Sequence, residues 1–275
     1  MGAGHDHVDQ IEHELVREAM YKTGVTESIE ITFLADIPAH GSGLGSSSSL
    51  TVGALNALYA YQGINKTAEE LAQEACQIEI DILGKPIGKQ DQYSAAYGNC
   101  QHIRFKTDDS VMLERILLRE HTRRKLNSNL LLFYTCIQLK SSEILAEQKQ
   151  NIDDKFEFLY SMKPLVAELK ELLLNHKNNC DSTIDEFGRI LYRGWMLKRN
   201  LAGKITSPVI DETYDAALKA GALGGKVLGA GGGVFFLFHV LAEKQDNVRE
   251  ALRHLQEFPF SLERDGSKTI FNIRR

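Results

Sequence analysis

The stretch PAHGSGLGSSSSLTVGALNALYAY, Pro38 to Tyr61, constrains the fold more than any other part of the chain. A short apolar run precedes it. Leu50, Ala54, Leu55, Leu58 and Tyr61 follow at helical spacing, without an intervening polar segment. A flexible Gly/Ser linker would lead into polar sequence instead. Strand, glycine-rich turn and helix start together make an anion site, because unpaired N–H groups and the helix dipole both favour negative charge there. Gly43 and Gly45 let the backbone come close to a phosphate. Ser46, Ser47 and Ser48 offer hydroxyls for capping, for phosphate oxygens or for a metal ion. The phosphate-loop pattern G-x-x-x-x-G-K-[ST] is excluded because no lysine follows Gly45. The dinucleotide pattern G-x-G-x-x-G is excluded because Gly41-Ser42-Gly43-Leu44-Gly45-Ser46 breaks it. A plain turn is the other reading.

The remaining composition sets limits. A length of 275 residues, with 43% hydrophobic and 25% charged residues, suits a globular chain of one large or two smaller domains. A net charge of -5 does not point to nucleic acid. The basic cluster Arg115–Lys125 reads as a solvated loop or helix face. No run of ~18 apolar residues is present, and the N-terminus lacks the order of a signal peptide, so neither a membrane partner nor export is expected. Cys76, Cys100, Cys136 and Cys180 are widely spaced, which fits reduced thiols in the cytoplasm. His5, Asp6 and His7 read as a polar tail rather than a metal site.

Periodicity gives helices over Val8–Met20, Ser48–Tyr61, Thr67–Leu83, Ser142–Lys149, Phe156–Asn175, Ile184–Leu201, Thr213–Ala220 and Ala242–Glu257. Thr67 and Glu70 form a capping-box signature. Strands are expected over Glu27–Ala35, Gln101–Phe105, Leu130–Thr135, Lys226–Leu228, Val234–His239 and Thr269–Ile273. Interleaved strands and helices make the class α+β or mixed α/β. Strand-rich sequence gives way to helix-rich sequence between Asn151 and Lys163, so the expected domains are 1–155 and 156–275.

The loop resembles the second motif of the GHMP kinases, P-x-x-x-G-L-G-S-S, as Pro38-Ala-His-Gly-Ser-Gly43-Leu44-Gly45-Ser46-Ser47. KVLGAGGGVFFLF, Lys226–Phe238, resembles the family's third motif, and GKQDQY, Gly88–Tyr93, its Asp-containing segment. The finer texture of GKPIGKQDQYSAAYG, LKRNLAGKITSPVID and GALGGKVLGAGGG is similar to the branch that phosphorylates D-glycero-D-manno-heptose 7-phosphate at its anomeric oxygen.

The resemblance implies a two-part architecture, an N-terminal part like the second domain of ribosomal protein S5 and a ferredoxin-like C-terminal part, with the nucleotide at their seam. It implies ATP and Mg2+ as cofactors. Gly41, Gly43, Leu44, Gly45, Ser46, Ser47 and Ser48, with Gly229, Ala230, Gly231 and Gly232 of the third motif, would hold the nucleotide. Ser47 and Glu79 would be metal ligands, and Asp91 the base that takes the proton of the sugar hydroxyl. Read alone, Glu79 could be a helix-surface carboxylate and Asp91 a helix cap. Lys85 and Lys89 could face a sugar phosphate or be solvated. Other acceptors of the family (galactose, fucose, mevalonate) are the alternative, as is an inactive nucleotide-binding member.

The chain departs from the family pattern in places. Only 37 residues precede Pro38, and none resembles the family's first motif, so a bare sheet edge that favours association is expected. Cys136 and Leu139 stand where glycine and arginine are usual, Asn99-Cys100 replaces Gly-Gly, and Val234 replaces a glycine.

Overall fold

A computed structural model describes residues 7–37, 42–137, 141–174 and 180–272. The chain divides into two compact units. The first comprises Met1–His40, Gly45–Ile103 and Glu263–Arg275; the second comprises Gly41–Leu44 and Arg104–Leu262. The composition change at 151–163 lies inside the second unit.

The first unit is helical. A 3-10 turn at Val8–Gln10 precedes α1 (Glu14–Thr23), which packs on α2 (Ser46–Gln62). Both helices end at a glycine in the left-handed region, Gly24 and Gly63. The capping box forms as expected: the Glu70 N–H donates to Thr67 Oγ1 at 3.2 Å, and the Thr67 N–H donates to Glu70 Oε2 at 2.8 Å. They open α3 (Ala68–Cys76), which continues as a π-helical turn over Gln77–Ile82. α4 (Gln90–Tyr97) packs on α2 and α3. Leu15, Val16, Met20, Val52, Leu55, Leu58, Leu71 and Ile78 are buried in this unit. Residues after 262 return to it. The Ser267 N–H donates to the Ala95 carbonyl at 3.0 Å, and Asn56 Nδ2 donates to Ser267 Oγ at 2.9 Å. A Cβ on Gly266 would lie 2.0 Å from the Ala96 carbonyl oxygen, so only glycine fits that approach.

β1 (Gln101–Phe105) and β2 (Val111–Arg115) make a two-stranded sheet. The second unit then runs α5 (Glu120–Ser128), β3 (Leu130–Tyr134), α6 (Ser141–Gln150), α7 (Phe156–Leu174), α8 (Cys180–Lys198), α9 (Pro208–Ala220), β4 (Ala222–Val227), β5 (Phe235–Val240), α10 (Gln245–Ala251) and β6 (Gln256–Glu257). Its antiparallel sheet has the order β4-β5-β3-β6, with Leu132 opposite Leu237 and Lys226 opposite Leu237 on the other side. α8 and α9 lie against β4. Trp195 and Tyr214, with ring centroids 5.9 Å apart, pack with Phe133, Phe236 and Phe238 in the core. Arg123 and Arg124 of the basic cluster pair with Glu120 on α5 at 2.8 Å each, so the second half of that cluster is a helix face, while Arg115 ends β2.

Three expectations are corrected. Glu27–Ala35 opens in a bend, with Ser28 at φ 61°, and joins no ladder among the described residues; Ile29 and Ile31 are half-buried, while Phe33 and Leu34 are exposed. Thr269–Asn272 likewise joins no ladder among the described residues, with Ile270 and Phe271 exposed; Ile273 lies outside the described residues. Alternation gives a chain two faces, but a strand also needs a neighbour to bond. The charged helix after Val240 is shorter than its pattern. It stops at Ala251, and Glu257 joins β6, where its carboxylate binds Arg249 at 2.8 Å. β2, with its polar alternation, was not foreseen. Among the described residues no helix is long and apolar enough to cross a membrane.

His239 on β5 is fully buried beside Phe187 and Gly188, and neither ring nitrogen has a partner among the described residues. Burial pushes its pKa down from 6.5 to about 4. The folded state therefore holds a neutral ring, while the unfolded chain takes up a proton below pH 6.5. Stability from this group is complete above pH 6.5 and is lost as pH falls toward 4, by roughly 3 kcal/mol in all. Urea midpoints at pH 7 and pH 4.5 should show this slope, and His239→Leu should flatten it.

Candidate active site

α2 starts at the glycine-rich loop because Gly45, at φ 70°, turns the chain into the helix. A glycine cannot cap with a side chain, so no cap side chain covers the first turn of α2, the end of a helix that attracts an anion. Ser47 is exposed. Ser48 is buried, so its hydroxyl belongs to the packed face of α2 and only its backbone can serve the loop.

The loop's first half belongs to the second unit. Gly41 lies outside the described residues. Ser42 is buried, and its Oγ accepts the Leu44 N–H at 3.3 Å. The Leu44 side chain packs beside Leu132, Val234 and Phe235, so it anchors the loop rather than facing a ligand. Gly43, at φ 69°, lies backbone to backbone with the third-motif turn. A Cβ on Gly43 would meet the Leu228 carbonyl oxygen at 3.0 Å, and one on Gly229 would lie 2.5 Å from the Gly43 Cα. The turn itself, Gly229 to Gly233, is held by its carbonyls: Lys198 Nζ donates to that of Gly229, and Gln148 Nε2 to that of Ala230 at 3.1 Å. The Gly232 N–H donates to the Ile205 carbonyl at 2.9 Å. Gly231 packs against Ile205.

In the first unit, Asp91 sits in the first turn of α4 and is exposed. It is not the cap, since Lys89 holds that position. The ideal Cβ direction of Gly45 meets the Asp91 carboxyl, at 3.4 Å from Cγ and 3.6 Å from Oδ2. The start of α2 and the expected base are therefore neighbours. Glu79, in the π-helical turn, is fully buried, which rules out the helix-surface reading. Its Oε1 accepts from Gln92 Nε2 at 3.0 Å, and its Oε2 has no partner among the described residues. A buried carboxylate oxygen left without a donor suits a cation, which fits the expected metal role. No group of three or more His, Cys, Asp or Glu side chains is placed to hold a metal among the described residues, so a cation here would complete its shell with hydroxyls, phosphate oxygens and water. Lys85 is engaged elsewhere, in an ion pair with Glu14 at 3.0 Å.

The sequence reading did not single out Gln92. A signal existed. Ala72, Ala75 and Glu79 share one stripe of α3 and its continuation, and Gln92, Tyr93 and Ala96 share one stripe of α4. A polar residue within each apolar stripe marks a buried pair.

The chain matches the profile of the GHMP kinases N terminal domain over residues 11–99 and that of the GHMP kinases C terminal domain over 169–259. It belongs to the GHMP kinase family. A D-glycero-alpha-D-manno-heptose 7-phosphate kinase from Campylobacter jejuni is 28% identical over 246 residues, which cover 88% of this chain and 70% of that protein. A mevalonate kinase from Thermococcus onnurineus is also 28% identical, over 87% of this chain and 67% of that protein. Among solved structures, a D-glycero-D-manno-heptose 1-phosphate kinase from Bacteroides thetaiotaomicron is 27% identical with a TM-score of 0.72, covering 95% of this chain and 76% of that one. A putative sugar kinase from Campylobacter jejuni is 28% identical with a TM-score of 0.64, covering 84% of this chain and 65% of that one. The two-domain α+β fold of the family is thus present.

Two departures from the family pattern acquire a physical reading. Asn99 adopts φ 63°, which asparagine tolerates, and its Oδ1 accepts the Cys100 N–H at 2.8 Å. Cys136 adopts φ 60° and is exposed, and a cysteine side chain tolerates that conformation less well than asparagine. Leu139 lies outside the described residues. Cys136→Gly should stabilise the protein by about 1 kcal/mol, since a left-handed non-glycine residue costs roughly 1–2 kcal/mol and glycine's extra unfolded freedom offsets part of the gain. Gly229→Ala should do the reverse, losing at least ~2 kcal/mol to strain and to separation from Gly43. Thermal and denaturant melts of both variants check the pair of signs.

Proposed function

We propose that this chain transfers the γ-phosphoryl group of ATP to a small sugar phosphate, with D-glycero-D-manno-heptose 7-phosphate as first candidate and its anomeric hydroxyl as the acceptor. The observation that carries the reading is the seat of the Asp91 carboxyl against Gly45, at the start of the helix that would bind the phosphates. The heptose kinases among its relatives support the choice of acceptor. We assign residues 1–155 and 156–275 to the family's two domains, and the compartment to the cytoplasm.

Phosphoryl transfer needs mostly alignment and charge stabilisation. The first-turn N–H groups of Ser46, Ser47 and Ser48 would bind phosphate oxygens, with the α2 dipole favouring their charge. Gly43, Leu44 and Gly45 let the loop take its shape, and Gly229, Ala230, Gly231 and Gly232 support it. Asp91 would accept the proton from the acceptor hydroxyl as that oxygen attacks phosphorus; the bond from phosphorus to the leaving ADP oxygen breaks and the proton stays on the Asp91 carboxyl. Glu79 and Ser47 would hold Mg2+, which when bound neutralises charge on the β- and γ-phosphate oxygens.

The test is ADP release from this chain with ATP, Mg2+ and the heptose phosphate, beside Asp91→Asn. Turnover that depends on the sugar should fall at least about 100-fold in the variant, the scale of a lost general base. Unchanged turnover removes Asp91 from that role. Turnover with mevalonate and none with heptose phosphate moves the substrate to the other branch of relatives. No turnover with any acceptor, while ATP still binds, favours an inactive nucleotide-binding member.

A further inference from the structure

We propose that Gln92 is a positioning residue that aims the Glu79 carboxylate at a divalent cation. The inference rests on the reading of Glu79 as a metal ligand. Three features carry it. Glu79 and Gln92 are both wholly buried, although neither side chain is at home in an apolar interior. The Gln92 amide donates to Glu79 Oε1 at 3.0 Å, and no other donor to this carboxylate exists among the described residues. The second oxygen, Oε2, and Gln92 Oε1 are also buried and have no partner there.

The asymmetry matters. A carboxylate with one oxygen tied and one untied can rotate little about its last torsion, and the untied oxygen keeps its lone pairs for a cation. Most purely structural buried polar groups find a partner for each atom. The backbone adds to the case. Glu79 occupies a π-helical turn, Gln77–Ile82, a local widening of the helix that is uncommon except where a side chain must be placed for a task. Gln92 follows Asp91 directly, and α4 carries the two on different sides, with Asp91 exposed and Gln92 inward. One turn of α4 therefore presents the base outward and steadies the metal ligand inward. A partner that orients a ligand typically changes metal affinity by roughly 10- to 100-fold when removed.

The test uses the whole chain with Mn2+ as the metal probe and a non-hydrolysable ATP analogue, so no turnover is needed. Free Mn2+ is read by its electron paramagnetic resonance signal in the wild type, Gln92→Met, Glu79→Gln and the double variant. Gln92→Met should weaken Mn2+ binding by roughly 10- to 100-fold and leave metal-free binding of the analogue unchanged. The double variant should bind Mn2+ no more weakly than Glu79→Gln alone, because Gln92 acts only through Glu79. Wild-type affinity in Gln92→Met, with Glu79→Gln weakened, overturns the positioning role and leaves the ligand reading standing. So does a double variant weakened by the product of the two single effects. Unchanged affinity in Glu79→Gln overturns the ligand reading itself, and the positioning role with it. Should Gln92→Met fail to fold, the wild type suffices: the Gln92 side-chain amide resonances must shift when Mg2+ is added to the analogue complex, and unshifted resonances overturn the proposal.

Discussion

Gly43 and Gly229 meet backbone to backbone, and the shape of the phosphate-type loop depends on that contact. Gly229 has no room for a methyl group and Gly43 has little, and both backbones sit in the left-handed region. The contact brings two loops far apart in sequence to van der Waals distance without any side chain between them. Leu44 then drops into the cluster of Leu132, Val234 and Phe235, which stops the loop from lifting. Lys198 and Gln148 hold the carbonyls of the glycine turn from behind. Glycine is often read as a source of freedom. Here its absence of a side chain is used for closeness, and neighbouring groups remove the freedom.

A second constraint runs the other way. Glu79 is a carboxylate taken out of water with a single hydrogen bond to compensate, an arrangement that works against folding. Stability is given up at this point, within a unit whose buried positions are mostly apolar among the described residues. The arrangement makes sense when charge is needed there for binding, and sites of function are where local rules are commonly broken.

Much of the fold could be read from the residues. The capping box at Thr67 and Glu70 announces α3 because two reciprocal bonds need only a three-residue spacing. The apolar runs at Leu130 and Val234 announce β3 and β5 because central strands are buried on both faces. The segment Glu27–Ala35 misled, since its alternation says nothing about whether a neighbour is there to bond. β2 was missed because its five residues are short and end in Glu114 and Arg115, and only Val111 and Leu113 are half-buried. In the site, the motifs named Asp91 and Glu79, but the burial of Glu79 and its tie to Gln92 required the π-helical turn. That turn depends on packing that no local pattern encodes. The left-handed conformations at Asn99 and Cys136 explain why glycine is usual at such places.

The return of the chain to the first unit has a consequence for how the protein acquires its structure. Asn56 and Ser267 are bonded across 211 positions of sequence, and Gly266 lies against the end of α4. A ribosome must therefore release the entire second unit before the strap behind α4 can be laid down. Contacts of such separation slow folding, because a long loop must close before they reward it. The second unit is nearly continuous in sequence and can condense as it is made. The helix that carries Asp91 is thus locked in place only after residues 104–262 have been made.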